Sequence, residues 1–226
     1  MYKIDNSVEK ISMGKNTMFL DASELKRVKA KLKGMKYNIY YPYKDSEKVI
    51  IYTKNVPAVT LFKINTKFKL KHQEIMGSIM ALNISSNYLG DIIVDNDNYY
   101  FYIISELKEY IKHNLTLVGN KKIMLREIDL NEFKNYERKY LEESVIVSSL
   151  RIDNVISKII RTNRENVISK IKNDEVILNY EILSKSTYIL KENDIFSIRK
   201  YGKYKYIGAL KTTKKDNYII KYLKYI

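Results

Sequence analysis

The stretch whose reading decides the fold runs from Val147 to Tyr204, VSSLRIDNVISKIIRTNRENVISKIKNDEVILNYEILSKSTYILKENDIFSIRKYGKY. Ile152, Val155, Ile156, Ile159 and Ile160 recur at helical intervals, the apolar stripe of an amphipathic helix. Arg151, Asn154, Lys158 and Arg161 keep the complementary spacing, so they are expected on one polar face. Thr162-Asn163-Arg164-Glu165 reads as a capping box that ends this helix and starts the next. The second helix carries Val167, Ile168 and Ile171 inward. Its first turn holds Arg164, where free backbone N–H groups also attract anions, and its last turn holds Lys170 and Lys172.

The period then switches from helical to alternating. Val176 to Asn179 predicts a short strand, Asn179-Tyr180 a turn, and Tyr188-Ile189-Leu190 and Ile195-Phe196-Ser197-Ile198 further strands. Tyr201-Gly202-Lys203-Tyr204 predicts a hairpin in which Gly202 supplies a positive φ. Two helices with cations along one side are suited to gripping a phosphate backbone, so the candidate RNA-binding residues are Arg151, Lys158, Arg161, Arg164, Lys170 and Lys172. Arg199, Lys200 and Lys203 extend the expected patch toward the hairpin. Tyr201, Tyr204 and Tyr206 are positioned either to stack on bases or, as alternate residues of a half-exposed strand, to pack the sheet.

The order of motifs resembles the S4 RNA-binding domain. The residues that carry the resemblance are Leu150-Arg151-Ile152-Asp153, Thr162-Asn163-Arg164, Val176-Ile177-Leu178-Asn179 and Asp194-Ile195-Phe196-Ser197-Ile198-Arg199. Where the family has Gly, this chain has Asp174, and where it has Gly-Asp, this chain has Asn193-Asp194. Asp and Asn tolerate the left-handed backbone that glycine would supply, so the fold is expected to persist. Upstream, Lys71-His72-Gln73-Glu74-Ile75-Met76-Gly77-Ser78-Ile79-Met80 and Leu89-Gly90-Asp91-Ile92-Ile93-Val94 are similar to segments of YlmH-type proteins, bacterial S4 proteins with two small domains ahead of the S4 domain. Such members carry a basic pair ahead of the Gly-Asp, where this chain has Ser85-Ser86-Asn87-Tyr88. The resemblance implies binding to rRNA and tRNA on the large ribosomal subunit during quality control of stalled ribosomes. It also implies a link to cell division.

Composition points to an acidic partner. The 226 residues carry a formal net charge of +15 and 45% hydrophobic residues, enough for packed cores. The charge is uneven: residues 1–70 carry 15 Lys+Arg and 6 Asp+Glu, residues 71–144 carry 9 and 12, and residues 145–226 carry 17 and 8. Two basic regions therefore flank a mildly acidic one. A genome rich in A·T explains many Lys and the 21 Tyr, but not where the charges fall. Cysteine is absent, which excludes disulfides and thiolate metal sites and fits a reducing compartment. With no apolar core of signal-peptide length at Met1-Tyr2-Lys3-Ile4-Asp5, a cytoplasmic monomer with no membrane partner is expected.

The expected fold class is α+β in three modules: a basic N-terminal α/β module over 1–58, an RRM-like domain over 59–130, and, after a linker at 131–144, an S4 domain over 145–226. Asp21 and Glu24 form a capping-box pair for a helix that reaches Gly34, and strands follow at 37–41 and 49–53. From Val59 to Asp129 the elements read β-α-β-β-α-β, the ferredoxin-like order of RRM domains. Tyr99, Phe101 and Phe62 are that sheet's candidates for base stacking, although the acidic balance of residues 71–144 favours a structural or protein-contacting role.

Signatures of catalysis are missing. The chain has neither G-x-G-x-x-G nor a P-loop, His72 and His113 have no zinc-binding context, and Ser148-Ser149 lacks the glycines of a nucleophile elbow. Asp91 stands out as a lone carboxylate after Gly90, and a structural turn is its expected role. The reading is a non-catalytic RNA-binding protein with no cofactor and no metal. The alternatives are a cell-division-linked protein-interaction adaptor and an RNA-modifying enzyme.

Overall fold

The computed structural model describes residues 2–212 and 217–225 and divides into two compact units, residues 1–137 and residues 138–226. It is an α+β protein in both.

The N-terminal unit opens with α1 (Tyr2–Ser12), which the sequence analysis did not single out, and α2 (Ala22–Lys31). The α2 start follows the expected chemistry: Asp21 accepts from the Glu24 backbone N–H, and Glu24 accepts from that of Asp21. Strands β1 (Asn38–Tyr40) and β2 (Ile50–Tyr52) pair as an antiparallel ribbon. Then come β3 (Val59–Asn65), α3 (His72–Met80), β4 (Leu89–Asp95), β5 (Asn98–Ile104), a short 3-10 turn, and α4 (Lys108–Asn114). The unit closes with a small ribbon of β6 (Leu117–Val118) and β7 (Lys121–Lys122), strand β8 (Met124–Ile128) and α5 (Leu130–Phe133). The main sheet runs β4-β5-β3-β8, all antiparallel.

Both faces of this sheet are covered. Phe62, Tyr99 and Phe101, expected as base-stacking residues, are buried with Ile75, Ile79 and Ile111 from α3 and α4. On the other face Leu61 and Tyr102 are buried with Phe19, Tyr43 and Ile50 from the N-terminal segment and with Phe133 of α5. The Tyr43 and Tyr102 rings stack at 5.7 Å. The base-stacking expectation for Phe62, Tyr99 and Phe101 therefore fails, because their rings are spent in the core. The boundary expected at 58/59 also crosses a continuous core, since Phe19, Tyr43 and Ile50 pack with residues of the main sheet.

The C-terminal unit contains β9 (Tyr140–Val147), α6 (Ile152–Ile159), α7 (Arg164–Lys172), β10 (Val176–Leu178), β11 (Glu181–Ile182), β12 (Ile195–Ile198), β13 (Gly202–Thr212) and β14 (Tyr218–Tyr225). Its strands form one antiparallel sheet in the order β11-β10-β12-β13-β14-β9. One face of that sheet packs Val147, Phe196, Ile198, Tyr204, Ile220 and Tyr222 against Ile152, Val155, Ile156, Val167 and Ile171 of the two helices.

Several local expectations shift. The cap of α7 is Asn163, whose side chain accepts from the Asn166 N–H, in place of a Thr162–Glu165 box. Residues 188–190 form no strand; Ile189 makes a lone bridge to Arg151. Tyr204 and Tyr206 belong to the core. Residues 131–144, expected as a linker, hold most of α5 and the first five residues of β9. The exchange of glycine for Asp174 and Asn193 is accommodated as anticipated, with φ of 56° and 69°. Asn179 and Tyr180 also take positive φ, which closes the turn between β10 and β11.

Candidate nucleic-acid interface

The helix pair of the C-terminal unit is organised around one buried carboxylate. Asp153 lies in the first turn of α6 with its side chain 0% exposed. Arg151, the residue that caps α6, grips it with two hydrogen bonds, Nε to Oδ1 at 3.2 Å and Nη2 to Oδ2 at 2.8 Å. Arg164, the first residue of α7, adds a third from its own Nη2 to Oδ2 at 2.9 Å. Asp153 Oδ1 also accepts from the Asn154 backbone N–H at 2.7 Å. One carboxylate thus fixes the starts of both helices and holds two guanidinium groups side by side.

Neither arginine is lost to the interior. Their side chains remain 36% and 46% exposed, so each turns part of its donor fork to solvent. Burial pushes the Asp153 carboxyl up, but the hydrogen bonds from Arg151 and Arg164 outweigh it and hold the group below the usual carboxylate range. The cluster of two cations and one anion stays net positive.

The other expected residues sort into distinct places. Lys158 is exposed in the last turn of α6. Arg161 is exposed just after α6 with a φ of 52°. Asn154, expected beside them, is buried instead and donates to the Ser149 carbonyl at 3.0 Å and the Ser148 hydroxyl at 3.2 Å. Its amide ties α6 to the segment after β9, a role that helical spacing alone does not reveal.

At the far end of α7, Lys172 is exposed, but Lys170 is bound to Glu175 at 2.9 Å and lies over the Tyr201 ring at 5.4 Å. That pairing removes most of the expected charge of Lys170 from the patch. Arg199 and Lys200 are exposed in the nearby turn between β12 and β13. Lys203 does not extend the helical patch. Its neighbour Tyr204 is buried beneath the helices, and strand alternation sends Lys203 to the opposite face. There its Nζ sits 4.7 Å from the Tyr180 ring centre and 5.0 Å from that of Tyr225.

Asp91 is fully occupied in the N-terminal unit. It is buried and accepts from Tyr43 Oη at 2.7 Å and from the backbone N–H groups of Glu47 and Lys48 at 2.7 and 3.2 Å. These bonds pin the loop before β2, as the structural reading of this residue expects. His72 begins α3. Among the described residues no group of three or more His, Cys, Asp or Glu has the arrangement of a metal site, and no helix is long and apolar enough to cross a membrane.

Sequence reasoning missed the central part of Asp153. The residue was visible inside Leu150-Arg151-Ile152-Asp153, and its signal was an acidic residue beside an otherwise cationic helix start.

Comparison with known proteins adds a family match for the central region. Residues 57–132 match the family described as "Putative RNA-binding domain in YlmH". Over 147 residues the chain is 26% identical to the "Ribosome-associated protein quality control protein P2" of Bacillus subtilis (strain 168), an alignment that covers 65% of this chain and 57% of the relative's length. Among solved structures, the "Cell division protein ylmH from Streptococcus pneumoniae" aligns over 58% of this chain and 92% of its own, with 22% identity and a TM-score of 0.48. The central region, residues 57–132, is thus similar to the RNA-binding domain of YlmH proteins, and the aligned stretch spans little more than half of the relative's length.

Proposed function

We propose that this chain binds structured ribosomal RNA without catalysis, and that its C-terminal unit, an S4-like module over 145–226, supplies the main phosphate contact. One observation carries the reading: Asp153 holds Arg151 and Arg164 together at the helix starts while leaving part of each guanidinium in solvent. Pre-positioned donors need less ordering on binding, and a planar fork suits a phosphate. Lys158 on α6, Arg161 just after it and Lys172 at the far end of α7 are exposed cations of the same helix pair, with Arg199 and Lys200 exposed in the turn between β12 and β13. The unit as a whole is strongly basic, with 19 Lys+Arg against 10 Asp+Glu in residues 138–226.

The RNA-binding family matched by residues 57–132 and the ribosome-associated relative support a ribosomal setting. Within it we assign the chain to the large subunit, next to tRNA, in quality control after stalling. A-form RNA is read by shape and by its phosphates and 2′-hydroxyls, which suits a rigid helix pair. The region 59–130 is RRM-like in its strand order, β4-β5-β3-β8, but its sheet is closed on both faces and does not serve as the stacking platform of that class. The protein acts as a cytoplasmic monomer, with no membrane partner and no cofactor.

Co-sedimentation with ribosomes tests the reading. The chain is expected to travel with large subunits at low salt and to leave them as salt rises, because phosphate contacts release counterions. A chain that remains at the top of the gradient at low salt overturns it and favours a protein-interaction adaptor.

A further inference from the structure

The matched region 57–132 presents a puzzle. It holds nine Lys+Arg and nine Asp+Glu, and both faces of its sheet are closed, yet it matches an RNA-binding family. The charges are not mixed. Lys67, Lys69 and Lys71 follow β3, and Lys121 and Lys122 form β7. The two segments are stitched together: the Thr66 hydroxyl donates to the Lys122 carbonyl at 3.2 Å, and Lys121 Nζ donates to the Lys69 carbonyl at 2.9 Å. Five of the nine cations thus converge at one end of the unit.

The acid within this cluster is already engaged. Glu74 accepts from Lys121 Nζ at 2.9 and 3.0 Å and from the Lys71 backbone N–H at 2.8 Å. Lys67, Lys69, Lys71 and Lys122 are exposed around it. Among them stands Phe68, 41% exposed, with Lys67 Nζ 5.6 Å from its ring centre. An exposed aromatic ring amid lysines on a hydrogen-bonded loop pair matches the physical needs of an unpaired nucleotide: phosphates for the cations and a flat base for the ring.

We propose that this loop pair, residues 66–71 and 121–122, is a second RNA contact, in which Lys67, Lys69 and Lys122 meet backbone phosphates and Phe68 stacks on an unpaired base. The inference rests on the RNA-binding reading above but uses a different unit of the chain. The side-chain-to-carbonyl hydrogen bonds between the two segments keep the cations close together in the free protein, so less order remains to be imposed by the RNA.

The test uses the full chain and two probes, a blunt RNA hairpin and the same hairpin with a single-stranded 3′ extension. Lys67→Ala combined with Lys69→Ala and Lys122→Ala is expected to weaken binding of both by about tenfold at low salt and to reduce the salt slope by about two to three. Phe68→Ala is expected to weaken the extended hairpin by about tenfold and leave the blunt one unchanged. Lys122→Glu, a single exposed change, is the second variant and should weaken both probes. Thermal melting checks that each variant is folded. Wild-type affinity and slope in the lysine variants overturn the phosphate contact, and an equal effect of Phe68→Ala on both probes overturns the stacking. If instead Lys158→Ala with Arg161→Ala leaves binding intact while the loop variants weaken it, the C-terminal reading falls and this one stands.

Discussion

Arg164 opens α7 with its Nη2 2.9 Å from Oδ2 of Asp153, a residue eleven positions earlier that is buried in the first turn of α6. The bond joins two helices through a charge, and it places a cation where sequence pattern expects RNA contact. Removing the carboxylate frees both arginines and leaves a hole beneath them. Asp153→Ala is expected to destabilise the C-terminal unit by about 2–3 kcal/mol, less than the 3–5 kcal/mol of a fully buried pair because both guanidiniums reach water. Urea unfolding measures this. Since the freed arginines lose their fixed geometry, RNA affinity is expected to fall even though net charge rises by one. An affinity that rises with the added charge would show that the clamp has no part in binding.

The same carboxylate sets a pH dependence. Burial raises its pKa and the two arginines lower it more, so the folded value lies beneath the unfolded one of about 3.9. A group whose folded pKa is depressed contributes stability that is present above the unfolded value and is lost as pH falls through the folded one. The stability difference between the wild type and Asp153→Asn should therefore be constant near neutrality and shrink below about pH 4. Urea midpoints of the two proteins across that range provide the check. A gap that stays constant into acid would mean that the carboxyl titrates alike in the folded and unfolded chain.

Lys158 and Arg161 allow a cleaner test of the helical face, because both are exposed and neither holds Asp153. Lys158→Ala with Arg161→Ala is expected to leave thermal stability nearly unchanged. Each lost phosphate contact should lower the magnitude of the salt slope by about 0.9, so the pair should lower it by up to about two. Arg161 has a positive φ, so Arg161→Gly is a useful companion that removes the charge without adding backbone strain. Gel-shift titrations at several salt concentrations read both quantities. An unchanged slope in both variants would exclude this face from the contact.

Local chemistry was legible in the chain, and long-range placement was not. The Asp21–Glu24 box was readable because a capping box is decided within four residues. The left-handed backbone at Asp174 and Asn193 was readable once the S4 resemblance put glycine at those positions, since Asp and Asn tolerate it. Lys203 was misplaced because its face depends on which side of the sheet Tyr204 finds the helices. Lys170 looked free because Glu175, five residues on, turns back toward it only once the chain leaves α7. The charge sums hid the lysines at the end of the central region, because the boundary at residue 70 parted Lys67 and Lys69 from Lys71, Lys121 and Lys122, and a sum carries no information about where they converge.

The β9–β14 pairing is another long-range feature, and it supplies the final prediction. Eight residues of β9, from Tyr140 to Val147, pair with Tyr218 to Tyr225. A fragment beginning at residue 145, where sequence pattern sets the start of the S4-like module, keeps three of those eight pairs. It also loses the Glu142–Lys221 ion pair at 2.6 Å and the hydrogen bond from Tyr222 Oη to Glu143. The unpaired edge of β14 would then be open to other chains. A fragment of 138–226 is expected to fold, stay monomeric and bind RNA. One of 145–226 is expected to melt at least about 5 °C lower and to self-associate. Thermal denaturation and analytical ultracentrifugation of the two fragments decide between them. Equal melting and equal mass would show that β9 contributes nothing to the unit beyond Val145.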